Sequence, residues 1–244
     1  VSKVLGIDVG GTGIKGAIVD TTTGELITER IKYKTPRPAT PAVMTDVMKK
    51  IVLDFNYFGG KIGVGFPAII KGGKALSASN VDDKWLGYEV EAKLTKALGS
   101  EVTVINDADA AGLAEYKFGM GKELSGLVVF LTLGTGIGSA IFHNGVLLPN
   151  TELGHLKWKG KIAEKYAGNK AREDKDLSWK EWGAEVNEYL NHIHFVLSPD
   201  HILLGGGVSK KFAKYSQYLD VPVPVKPASL LNYAGIIGAA CAPQ

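Results

Sequence analysis

The amino-acid sequence predicts an α/β protein built from two halves of similar fold. Three observations carry that expectation. An apolar strand, a glycine turn and a second apolar strand open the chain; the same pattern returns near residue 130; helix and strand patterns alternate in between. Hydrophobic residues make up 45% and charged residues 22%, with 31 glycines, which describes a globular chain rich in tight turns. A length of 244 residues suffices for two separate cores.

Residues 4–8 are a short apolar run stopped by glycines, and 14–20 resumes it as the second strand of a hairpin. Residues 26–33 supply a third strand after the turn Thr23-Gly24. Over 42–57, Val43, Val47, Ile51 and Phe55 recur every four residues, as one face of a helix does. Residues 62–66 read as a strand stopped by Pro67, 89–98 as a helix and 102–105 as the next strand, the alternation of a largely parallel sheet. Residues 127–133 and 137–143 then flank Gly134-Thr135-Gly136, so that LTLGTGIGSAIFHNG repeats the layout of IDVGGTGIKGAIVD. The stretch 157–176 is polar, with seven basic and four acidic residues and no clear period, and reads as surface. Ser178 with Glu181 is a capping box opening a helix whose apolar face runs through Trp182, Val186, Leu190, Ile193 and Leu197 until Pro199. Residues 202–204 form another strand before a run of three glycines.

The charge balance, 28 basic against 25 acidic residues, leaves a formal +3, too little to recruit nucleic acid or an anionic membrane by overall field. No stretch is apolar for long enough to span a bilayer. Cys241 stands alone, which excludes an internal disulfide and a cysteine-built metal site. A cytoplasmic protein is expected.

The chemistry concentrates in five segments. Asp8, Gly10, Gly11, Thr12, Gly13 and Lys15 set an acid at a strand end, glycines whose N–H groups can approach an anion, a hydroxyl and a cation. The turn lacks the GK[ST] ending of a Walker A loop, and an ordinary hairpin is the competing reading. Gly134, Thr135, Gly136 and Gly138 make a second turn of the same kind, and the two together suit a phosphorylated ligand. Gly205, Gly206 and Gly207 follow a strand, where either a nucleotide or close packing requires glycine. Asn106, Asp107 and Asp109 follow a strand and precede a helix, at the edge where α/β proteins bind ligands, or else Asp107 or Asp109 is a helix cap. Glu152 and His155 add a carboxylate and an imidazole able to hydrogen-bond sugar hydroxyls, or else are solvated loop side chains.

In this order the segments resemble the ROK family of sugar kinases along nearly the whole chain, and INDADAAGLAE, ELGH, LSWKEW and GGGVSKK are similar to its polyphosphate-using glucokinase branch. The resemblance implies an actin-like ATPase, or ribonuclease-H-like, fold: two similar α/β domains with a cleft between them. The domains expected are 1–105 and 106–233, with a helix about 234–244 packing back on the first. It implies phosphoryl transfer from inorganic polyphosphate or ATP to the 6-hydroxyl of glucose, with Asp107 as base. Gly65, Pro67, Asn80, Asn106, Glu152 and His155 would bind glucose. The donor would lie against the residues of the three glycine segments, with Lys170 and Arg172 along a polyphosphate path. Asp8 would meet Mg2+, directly or through water, and a homodimer is suggested. The family's cysteine-rich zinc motif is replaced by KWKGKIAEKYAGNKARED, so no structural zinc is expected. A strictly ATP-dependent hexokinase acting on glucose or mannose, and a non-catalytic sugar sensor, are the alternatives.

Overall fold

The computed structural model describes residues 2–78 and 81–242. The chain divides into two compact units, one running to Ala114 and resuming at Tyr233, the other Glu115–Asn232.

In the first unit β1 (Lys3–Val9), β2 (Gly13–Asp20) and β3 (Ile31–Lys34) form an antiparallel meander. Helix α1 (Pro41–Asp54) leads to β4 (Ile62–Phe66). A small hairpin of β5 (Ile70–Lys71) and β6 (Lys74–Ala75), then α2 (Val90–Leu98), lead to β7 (Val102–Asn106), which runs straight into α3 (Asp107–Phe118). β4 and β7 join in parallel, giving the order β3-β2-β1-β4-β7. β4 is buried along its whole length and β1 along most of it, as central strands covered on both faces must be.

Pro41 opens α1, where its missing N–H is no loss. The buried face of α1 is Met44, Met48, Ile51 and Val52, whereas Val43, expected to point inward, is 42% exposed. A row spaced strictly by four drifts by about 40° per turn against the 3.6-residue helix. The row through Val43 therefore winds onto the core only lower down, where Val47, Ile51 and Phe55 pack. A final helix, Ala234–Cys241, lies on β1 and β4 with backbone almost touching backbone. A Cβ on Gly63 would sit 1.7 Å from the carbonyl oxygen of Ala239, and one on Gly238 would sit 1.6 Å from that of Ala110.

The second unit repeats the topology. β8 (Leu127–Leu133), β9 (Ile137–His143) and β10 (Val146–Leu148) form the meander. Residues 157–176, read as a surface stretch without a clear period, fold as a hairpin of β11 (Lys157–Trp158) and β12 (Lys161–Ile162) followed by α4 (Glu164–Ala167) and α5 (Asn169–Asp174). The charges stay outside while Ala163, Ala167 and Ala171, four residues apart, are buried. Trp182 Nε1 donates to the Gly168 carbonyl at 3.2 Å and ties this region to α6 (Trp179–Leu197). The expected capping box is present: Ser178 Oγ accepts from the Glu181 N–H at 3.2 Å, and Glu181 accepts from the Ser178 N–H at 2.9 Å. β13 (His201–Gly205) and β14 (Val225–Pro227) complete the sheet in parallel, in the order β10-β9-β8-β13-β14.

Candidate functional site

The parallel strands of the first unit end level with one another. Asp8 is in register with Gly65, Gly65 with Ile105, and Phe66 with Asn106. Asp8, the turn through Gly65 and Pro67, and Asn106-Asp107 therefore share the carboxyl edge of the sheet, the usual ligand edge of such folds. At the spacing of neighbouring strands, Asp8 and the end of β7 lie about 10 Å apart. Asn106 is buried and held by three bonds: its Oδ1 accepts the N–H groups of Ala108 at 2.9 Å and Asp109 at 3.1 Å, and one N–H of its Nδ2 donates to the Ala68 carbonyl at 3.0 Å. It caps α3 and fastens the Pro67 turn to it. Asp107 is the first residue of α3, and its Oδ1 accepts the Ala108 N–H at 2.8 Å.

The first glycine turn closes through Gly10 N–H to the Gly13 carbonyl at 3.0 Å, and Lys15 Nζ meets Asp8 Oδ2 at 2.7 Å. Two residues with no sequence signal brace it. Thr35 Oγ1 donates to the Gly10 carbonyl at 2.5 Å, and the Arg37 guanidinium to that of Gly11 at 3.2 Å. They lie 25 and 26 residues along the chain and arrive only because β3 pairs with β2. A Cβ on Gly11 would meet no protein atom within 4 Å, so that backbone is open to a ligand.

In the second unit, Gly134 N–H closes onto the Gly136 carbonyl at 2.9 Å, and Gly138 N–H onto Thr132 Oγ1 at 3.2 Å. Thr132 is in register with both Gly138 and Gly205, so the second and third glycine segments meet at one sheet edge. Packing explains Gly205, whose Cβ would press the Phe130 ring at 2.7 Å, and Gly206, with φ 81°. Gly207, by contrast, has nothing within 4 Å of the place a Cβ would occupy. The sequence reading missed Glu164. Its carboxylate lies against Gly136, where a Cβ would be 2.4 Å from Oε2, accepts the Ile137 N–H at 3.4 Å, and pairs with Lys165 at 3.1 Å.

α5 braces the same turn through the Lys170 N–H, which donates to the Gly134 carbonyl at 3.0 Å. The Lys170 ammonium itself pairs with Asp174 at 2.7 Å. Arg172 Nε donates to Asn169 at 3.1 Å, and its guanidinium lies 4.4 Å from the centre of the Trp179 ring.

Glu152 and His155 are pinned to β9. Ser139 Oγ donates to the Thr151 carbonyl at 2.6 Å and accepts the Leu153 N–H at 3.0 Å, while Gly154 packs on the Ile137 backbone. His155 Nδ1 lies 3.3 Å from Glu152 Oε2. Burial pushes the Glu152 carboxyl above the usual carboxylate range, the nearby imidazole draws it back, and the charge of Glu164 raises it again. Asn80 lies outside the described residues. Among the described residues no group of three or more His, Cys, Asp or Glu side chains is placed to hold a metal, and no helix is long and apolar enough to cross a membrane.

The chain belongs to the ROK family, whose profile spans residues 4–171. Polyphosphate glucokinase of Mycobacterium tuberculosis is 48% identical over 239 residues, 98% of this chain and 90% of that protein. The inorganic polyphosphate/ATP-glucomannokinase of an Arthrobacter strain superposes with a TM-score of 0.95 at 46% identity, over 98% of this chain and 97% of that one. A ROK family glucokinase from Streptomyces griseus, solved with glucose and AMPPNP, gives a TM-score of 0.82 at 23% identity over 98% of both chains. The fold is therefore that of the ROK sugar kinases, the actin-like ATPase fold with two sheet-containing domains, in agreement with the sequence expectation.

Proposed function

We propose that this chain is a glucokinase that transfers a phosphoryl group from inorganic polyphosphate, and from ATP, to the 6-hydroxyl of glucose. The observation that carries the reading is the near-full-length identity of 46–48% to enzymes named for that donor and sugar. The site geometry supports it: an Asn-Asp pair at the carboxyl edge of a parallel sheet, level with a glycine turn whose backbone is open at Gly11.

In this reading the Asp107 carboxylate takes the proton of the glucose 6-hydroxyl as its oxygen bonds to the terminal phosphorus, and the bond from that phosphorus to the leaving phosphate oxygen breaks. Asn106, Glu152 and His155, with Gly65 and Pro67, hold the sugar. Asp8 through Lys15, Gly134 through Gly138 and Gly205 through Gly207 hold the donor, with Lys170 and Arg172 at its rim. A single carboxylate, fixed by Lys15 beside the open backbone of Gly11, fits Mg2+ held mostly by water and donor oxygens, and Asp8 is the residue that would take it. When bound, the ion would neutralise charge on the transferred group. A cytoplasmic homodimer completes the proposal. The Arthrobacter enzyme's name adds mannose as a second acceptor.

The test is a screen of long-chain polyphosphate and ATP against glucose and mannose in Mg2+, followed by the sugar 6-phosphate formed. Turnover of glucose with polyphosphate is expected; activity with ATP alone would support the strictly ATP-dependent reading, and none with any pair the sensor.

A further inference from the structure

Beside the first glycine turn, Lys15 is continued across the sheet by two further lysines that have no part in the proposed donor site. Lys15 is in register with Lys32, and Gly13 with Lys34, so Lys15, Lys32 and Lys34 share one face of the meander. Gly13 has no side chain on that face, and the Lys32 stem lies across its place: a Cβ there would meet Lys32 Cε at 2.7 Å. The stem therefore passes over Gly13, where β2 leaves the turn. Arg37 reaches the same turn from the segment that follows, through the Gly11 carbonyl at 3.2 Å.

Lysines directly opposite one another weaken a sheet unless something offsets their repulsion. Asp8 does so for Lys15 at 2.7 Å. Lys32 and Lys34 are exposed and form no ion pair with any described residue. The cations of α5 differ, since Lys170 is joined to Asp174, and Arg172 to Asn169 and the Trp179 ring.

We infer that Lys32 and Lys34, with Arg37, form a track for the chain of a linear polyanion whose terminal phosphate sits at the Gly10–Gly13 turn. This inference rests on the proposed polyphosphate donor. Neighbouring cations lie roughly 5 Å apart across strands and about 7 Å apart along one, a repeat that suits an anion with charge at every unit. A short donor occupies the turn and ends before the row; a long one continues along it. Attraction of this kind is electrostatic, exposed and sensitive to salt.

The experiment compares Lys32→Gln/Lys34→Gln with wild type and with Lys32→Arg/Lys34→Arg, using long-chain polyphosphate and ATP at low and high salt. The expected result is an apparent KM for long-chain polyphosphate raised about tenfold at low salt, a flattened salt dependence, a KM for ATP within about twofold, and recovery in the arginine variant. An unchanged polyphosphate KM overturns the track, and so does an equal loss with both donors, which would mark damage to the turn. Wild type inactive with polyphosphate but active with ATP would sink the donor reading instead. In that case calorimetric titration with long-chain polyphosphate decides the track, and equal affinity of wild type and the glutamine variant overturns it.

Discussion

Replacing Asp107 by Asn exchanges one carboxylate oxygen for an amide nitrogen and keeps the side chain's shape. The remaining oxygen still accepts the Ala108 N–H that Asp107 Oδ1 accepts at 2.8 Å, and Asn106 still caps the helix with two bonds at 2.9 and 3.1 Å. The stability change is therefore small: a charged acceptor becomes neutral and a negative charge leaves a helix N-terminus, about 1–2 kcal/mol together. The loss in turnover is much larger, because a positioned base contributes about 10²–10⁴ in rate, or roughly 3–5 kcal/mol in the barrier. Glucose affinity should stay within about tenfold, since the amide can still hydrogen-bond the hydroxyl. The assay is formation of glucose 6-phosphate at saturating donor, with glucose binding by calorimetry and unfolding by urea in parallel. Turnover within threefold of wild type, with the fold intact, would show that another group takes the proton. Asn106→Ala is the contrasting case. It removes the cap and leaves the buried Ala68 carbonyl without its donor at 3.0 Å, so stability should fall by about 2–4 kcal/mol.

Glu152→Ala and His155→Ala should each weaken glucose binding, and unchanged calorimetric affinity in both would remove them from the sugar site. Glu152→Gln should raise the thermal midpoint at neutral pH. The folded-state pKa of Glu152 is raised by burial, so its favourable term is present below the unfolded pKa and is lost as pH rises through the folded one. The gain should therefore vanish near pH 4, about the ordinary carboxylate value, and a gain that persists there would refute burial as the cause. Gly136→Ala should displace the flexible Glu164 carboxylate, 2.4 Å from the new methyl, and lower activity with both donors about as much as Glu164→Ala does; a much larger loss would show that the turn itself has moved. Gly63→Ala should destabilise the first unit by at least about 3 kcal/mol, since its Cβ would lie 1.7 Å from a backbone carbonyl oxygen, and a wild-type urea midpoint would contradict that packing.

Much of the fold was legible because local physics wrote it. The two glycine turns between apolar strands announced the repeat, and the sheets share one strand order. Ser178 and Glu181 announced the start of α6, since a capping box needs only residues three apart. Other features left no local signal for equally physical reasons. The charges of 157–176 hid the spacing of Ala163, Ala167 and Ala171, a small apolar row that nucleates two short helices only because Trp182 and the rest of its core lie beneath. Gly205 and Gly206 look in sequence like Gly207, yet the first two answer to Phe130 and Leu133 while Gly207 faces open space.

By itself the sequence determined the α/β class, the duplication, the family and the short segments that carry charge, hydroxyl and glycine together. These depend on residues within about ten positions of one another, where chain connectivity alone sets the geometry. Only the tertiary structure decided what surrounds each segment. Asp8 becomes level with Gly65 and Ile105 through parallel pairing of distant strands. Thr35 and Arg37 reach the first turn across a strand pair, and Glu164 reaches the second across the packing of α4. Such contacts follow from strand register and burial, which are properties of the whole chain, and no local pattern encodes them.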